Sequence, residues 1–73
     1  MPDGVADVRA EMVATVASVL VADGDSVAEG DTLVVLESMK MEIPVLAEQA
    51  GTVHDLVAAG ATVQAGDVLA TIR

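Results

Sequence analysis

Lys40 is the sole lysine of the chain, and it stands in the run Glu37-Ser38-Met39-Lys40-Met41-Glu42-Ile43-Pro44. A primary amine can serve chemistry in two ways. As a catalyst it needs its basicity lowered, by burial or by a cationic neighbour. The run offers two glutamates instead, and the only other bases are Arg9 and Arg73. An exposed amine stays protonated at neutral pH and is a poor nucleophile unaided. Such a group suits acylation by a separate enzyme that supplies the activation. The local sequence therefore points to an acceptor of modification, not to a catalyst.

Other candidates for chemistry are weaker. A histidine can act as an acid–base group near neutrality, but His54 has no Ser or Cys partner at a recognisable spacing and reads as an exposed strand position. Asp23-Gly24-Asp25 superficially resembles the start of a calcium loop. It fails that pattern, because Val27, Ala28 and Val34 stand where Asp/Asn, Gly and Glu are needed. These aspartates read as turn formers. With no cysteine and one histidine, thiolate and His-rich metal sites are excluded.

An internal repeat sets the framework around Lys40. AEMVATV at 10–16 recurs as AEQAGTV at 47–53, and LVADGDSVAEGDTL at 20–33 recurs as LVAAGATVQAGDVL at 56–69. The second pair of segments agrees at eight of fourteen positions, among them Gly24/Gly60, Gly30/Gly66, Asp31/Asp67 and Leu33/Leu69. The offset falls from 37 to 36 between the two segments, so the second copy lacks one residue near His54. A one-residue slip would turn every later side chain to the opposite face of its strand. A β-bulge in the first copy, absent from the second, absorbs the difference. Each copy reads as apolar run, glycine turn, short segment, Gly-Asp turn, apolar run, with no sustained helical period or helix caps. Neither copy can bury its apolar face alone. The expectation is an all-β flattened barrel or sandwich, two sheets packed face to face and related by a quasi-two-fold.

Residues 37–44 are the one segment the duplication leaves without an equivalent. They connect the copies, at the end of the molecule opposite the termini. The predicted element is a tight hairpin between strands Leu33–Glu37 and Met41–Leu46, its turn beginning at Ser38 without the strong Asn-Gly signal. Met39 and Met41 are expected on one side of an extended strand around Lys40, exposed with partial packing. Met12 reads as core filler. Pro44 cannot donate to a ladder, which places its strand at an edge or at a kink.

Composition bounds the rest. The 73 residues form a single domain, with residues 1–7 expected as a flexible N-terminus. Hydrophobic residues make up 53% and none is aromatic, so the core must be aliphatic. A net charge of −9 argues against nucleic acid and against anionic membrane surfaces, and favours a monomer that repels its own copies. The longest apolar stretch, Met12 to Ala22, is too short to span a bilayer, and no secretory signal pattern opens the chain. A cytoplasmic setting is the expectation.

With these residues in view, the chain resembles the biotinyl/lipoyl attachment domains, from about Val8 to Arg73. The run ESMKMEIP looks like the biotin-attachment motif, a lysine between two methionines. The resemblance implies a flattened β-barrel of two four-stranded antiparallel sheets, covalent biotin on Lys40, recognition roles for Met39 and Met41, and a possible recognition role for Glu37. Related lipoyl domains place a lysine on the same hairpin, but their tips read Asp-Lys-Ala or similar, so the paired methionines point to biotin. The chain departs from the family in two scaffold features: of the usual Pro-Met-Pro-Gly only Met12 remains, and the second copy has the one-residue deficit near His54. The stretch Val21–Val27 has no room for the inserted thumb of some bacterial carriers, so the chain resembles carriers without one.

The implied function is that of a biotin carboxyl carrier with no catalytic group of its own. A biotin protein ligase would modify Lys40, and the arm would serve the biotin carboxylase and carboxyltransferase subunits of an acyl-CoA or related carboxylase. Two alternatives stay open on sequence: a lipoyl carrier, and an unmodified β-domain used for protein interaction.

Overall fold

The computed structural model describes residues 4–73. It contains eight strands: β1 Ala6–Arg9, β2 Ala14–Val19, β3 Ser26–Val27, β4 Thr32–Ser38, β5 Met41–Leu46, β6 Gly51–His54, β7 Thr62–Val63 and β8 Val68–Ile72. They form two four-stranded sheets, ordered β1-β8-β6-β3 and β5-β4-β2-β7, and every pairing is antiparallel. Exchanging β1 with β5, β2 with β6, β3 with β7 and β4 with β8 converts one order into the other. The quasi-two-fold inferred from the repeat is thus a property of the fold.

The symmetry extends to individual hydrogen bonds. Ala10 N donates to the Asp67 carbonyl and Ala47 N to the Asp31 carbonyl, each at 2.8 Å. Gly66 N donates to the Ala10 carbonyl as Gly30 N does to that of Ala47, again at 2.8 Å. In the Gly-Asp turns, Asp31 Oδ2 accepts from Ala28 N at 2.8 Å and Asp67 Oδ2 from Gln64 N at 2.9 Å. Gly30 and Gly66 hold φ of 93° and 94°, a region that residues with a Cβ rarely adopt.

The expected bulge lies in the first copy. Val16 pairs with Leu36 and Ser18 with Val35, which leaves Ala17 as the extra residue of β2. In the second copy Val53 pairs with Ile72 and His54 with Thr71 without interruption, and β6 then ends at His54, followed by Asp55 with a φ of 53°. A second, symmetric pair of irregularities had no signal in the repeat. The register shifts between Thr32 and Val34 opposite β5, and opposite Leu69 where β1 pairs with β8. These breaks in alternation let consecutive residues, Leu33-Val34 and Leu69-Ala70, both point inward.

The core contains Val8, Val16, Val27, Leu33, Leu36, Val53, Val63, Leu69 and Ile72, all buried, and no polar or charged side chain is buried among the described residues. Aliphatic burial at about 25 cal/mol per Å² is the stabilising term available to a domain without disulfides or aromatic residues. The two copies are also stitched together by Asp23 Oδ1, which accepts from Leu56 N at 2.9 Å. No helix among the described residues is long and apolar enough to cross a membrane.

Three expectations require correction. Ala6 and Asp7 belong to β1, paired with Ile72 and Thr71, so the N-terminal strand reaches into the segment expected to be flexible; Met1 to Asp3 lie outside the described residues. Met12 is 38% exposed and not core filler. His54 is half-buried in β6 beside β8, not an exposed strand position.

Candidate functional site

The site is the β4–β5 hairpin. Along β4, Leu36 turns into the core and anchors the element, and Glu37 turns out to solvent. The register runs Leu36↔Ile43, Glu37↔Glu42, Ser38↔Met41, which leaves a loop of two residues, Met39 and Lys40. Both have positive φ, 53° and 64°. This is the primed type of turn that suits the right-handed twist of paired strands. It usually takes Asn-Gly, because a left-handed backbone costs other L-residues about 1–2 kcal/mol each. Methionine and lysine occupy the two least comfortable positions of the hairpin.

This corrects the placement of the methionines. Met39 is a turn residue and 91% exposed, with next to no packing; Met41 opens β5 and is 60% exposed. They do not lie on one face of an extended strand. Pro44 sits on β5, an edge strand of its sheet, as its missing N–H requires.

The hairpin base is tied to the loop before β2. Ser38 Oγ donates to the Val13 carbonyl at 3.2 Å, and continuing the Thr15↔Glu37 register brings Val13 level with Met39. Val13 is 62% exposed. The end of the molecule that carries Lys40 thus also presents Met39, Met41, Val13 and the rim of Met12. Val13 escaped sequence reasoning because its link to Ser38 spans 25 residues and uses only a main-chain carbonyl.

Lys40 is exposed. Among the described residues the one salt bridge joins Arg9 to Asp7 at 3.1 Å, and no hydrogen bond or ion pair engages the Lys40 side chain. Glu37 and Glu42 stand opposite each other two steps below the turn, beneath the Ser38↔Met41 pair. The Lys40 nitrogen is open to an incoming active site from the solvent side. No neighbouring group is placed to act as a base, and no cluster of His, Cys, Asp or Glu among the described residues could hold a metal. The arrangement can present an amine and can do little else chemically. The four residues singled out by sequence, Glu37, Met39, Lys40 and Met41, are brought together here; His54 and the Asp23–Asp25 turn are on other elements.

Comparison with known proteins places this geometry in context. Residues 4–72 match the family model described as biotin-requiring enzyme. The chain is 58% identical over 67 residues to a biotinylated protein TB7.3 homologue of Mycobacterium leprae, covering 90% of this chain and 94% of that one. It is 50% identical over 64 residues to the biotin carboxyl carrier protein of Streptococcus mutans, covering 86% of this chain and 49% of that protein. In three dimensions it superposes on the urea carboxylase of Kluyveromyces lactis with a TM-score of 0.87 and 32% identity, all of this chain matching 6% of that enzyme. It therefore spans nearly all of one relative, half of another, and a small part of a large carboxylase. The matched family covers the whole described fold and its lysine-bearing hairpin, and the chain belongs to the biotinyl/lipoyl attachment family of biotin-requiring enzymes.

Proposed function

We propose that the chain is a biotin carboxyl carrier in which Lys40 is the residue that bears biotin. The observation that carries this reading is the turn itself: the sole lysine occupies a left-handed position at an exposed tip, free of ion pairs, between two solvent-facing methionines. The residues present fit the group. An amide on Nζ would cost no hydrogen bond, and the exposed apolar side chains around it suit an aliphatic arm.

Biotin supplies, when bound, a ureido nitrogen that can take up and give away a carboxyl group. The chain's own residues hold and present it. The hairpin fixes where Lys40 leaves the scaffold, and tethering raises the local concentration of the group at each partner site. Met39 and Met41 give a modifying ligase an apolar contact on either side of the amine, and Glu37 gives it a charge to meet. The partners in this reading are a biotin protein ligase, then the biotin carboxylase and carboxyltransferase of an acyl-CoA or related carboxylase. The setting is the cytoplasm, and the carrier acts as a monomer. A lipoyl carrier is the competing reading, and the Met-Lys-Met tip disfavours it.

Co-expression with a biotin protein ligase tests the proposal. The intact mass should rise by one biotinyl group and the product should bind streptavidin. A lipoyl adduct, or no adduct at all, would overturn it.

A further inference from the structure

One side of the molecule carries an open groove of about 560 Å³, where the edge strands β1 and β5 leave the two sheets apart. That volume lies in the range of small-molecule sites. Its apolar floor includes Leu36, Ile43 and Met12; its rim carries Glu11, Glu29 and Glu48, with Arg9 as the one rim cation. Arg9 is engaged already, donating to the Gly66 carbonyl at 2.8 Å and paired with Asp7 at 3.1 Å.

The groove begins on the strands that carry the hairpin, at Leu36 and Ile43. Side chains alternate along a strand, so Met41, Ile43 and Val45 share one face of β5, and Ile43 and Val45 both line the groove. Met41, next to Lys40, is the outer end of that row. Ile43 lies three residues from Lys40, about 10 Å at the rise of a strand. The lysine side chain and the valeryl chain of biotin together have about ten bonds, and a zigzag of bonds near 1.5 Å spans about 12 Å. The arm reaches the groove and not far beyond its near end.

We propose that the groove is a resting seat for the tethered biotin ring, which folds back over Met41 onto Ile43, Leu36 and Met12. This rests on the carrier reading above. The chemistry matches: the thioether-containing ring is apolar and suits the aliphatic floor, and the ureido N–H groups are donors that meet Glu11, the rim carboxylate next to Met12. The same rim carries a net charge of −2 from Arg9 and the three glutamates, so it repels any anionic form of the ring and keeps the seat for the neutral one. Between encounters the ring is thus shielded from water. A partner site competes with the seat for it.

The test uses biotinylated full-length protein with isotope-labelled methyl groups and unlabelled biotin, the adduct checked first by intact mass. Nuclear Overhauser contacts are expected between the ring protons and the methyls of Met12 and Ile43. In Ile43→Ser these contacts should vanish with the amide spectrum otherwise retained. Capture by streptavidin should become about threefold faster in that variant, as expected if two-thirds of the rings are seated in the native protein. Contacts confined to Met39 and Met41, or an unchanged capture rate, would overturn the seat. Such a result on fully biotinylated protein would leave the carrier reading intact, whereas absence of the adduct would defeat the carrier reading itself.

Discussion

Glu37 and Glu42 stand directly opposite one another across the β4–β5 ladder, two steps below the Met39-Lys40 turn. Like charges at such a position are destabilising, by about 0.2–1 kcal/mol relative to neutral pairs. Substitution Glu42→Thr should therefore raise the urea midpoint without changing the slope of the transition. It leaves Glu37 in place, so ligase-dependent modification should persist. A lowered midpoint would show that the pair is bridged in a way the geometry does not suggest.

The turn gives a second prediction. Met39 and Lys40 hold the left-handed positions that Asn and Gly occupy at least cost. Met39→Asn should stabilise the hairpin by about 1 kcal/mol, read by chemical denaturation, while raising the KM for biotinylation through loss of the apolar contact. Stability and modification would then move in opposite directions. If both improved, Met39 would have no part in recognition.

The quasi-two-fold can be tested through its turns. Asp31→Ala and Asp67→Ala remove equivalent carboxylate-to-amide bonds, from Ala28 N and Gln64 N. Each should cost about 1 kcal/mol, the usual net value of one hydrogen bond, and the two costs should agree closely. Asp25 makes the same kind of bond, accepting from Ala22 N at 2.9 Å, but its counterpart in the second copy is Ala61. Ala61→Asp should accordingly stabilise the protein, a change visible as a higher Tm.

Gly51 marks where the chain closes on itself. A Cβ there would meet the Arg73 carbonyl oxygen and Ile72 Cγ2, both at 2.8 Å. Gly51→Ala should lower stability by about 1–3 kcal/mol through overpacking, measured by denaturant titration. Biotinylation of the folded fraction should be unaffected, since β6 is remote from the hairpin tip.

Much of this was legible in the sequence because duplication leaves a trace that survives without knowledge of contacts. The offset of 37 falling to 36 located the irregularity now seen at Ala17, and the unrepeated segment located the hairpin. The register breaks at Leu33 and Leu69 were not legible, since both copies carry them and their spacing cancels. The expected placement of Met39 and Met41 on one side of an extended strand fails because nothing in Ser-Met-Lys-Met announces a left-handed backbone at Met39 and Lys40; that requirement comes from the closing of β4 on β5. The ties from Ser38 to Val13 and from Asp23 to Leu56 depend on folded proximity, and no local pattern encodes them.

This scaffold presents one amine, that of Lys40. Intact mass spectrometry of the native chain and of Lys40→Arg, each produced with a biotin protein ligase, most directly tests its role as the biotin acceptor. The native chain should gain one biotinyl group, and Lys40→Arg should gain none while keeping the circular dichroism and Tm of the parent. Biotin retained on the folded Lys40→Arg protein, or a native chain that stays unmodified, would contradict the account.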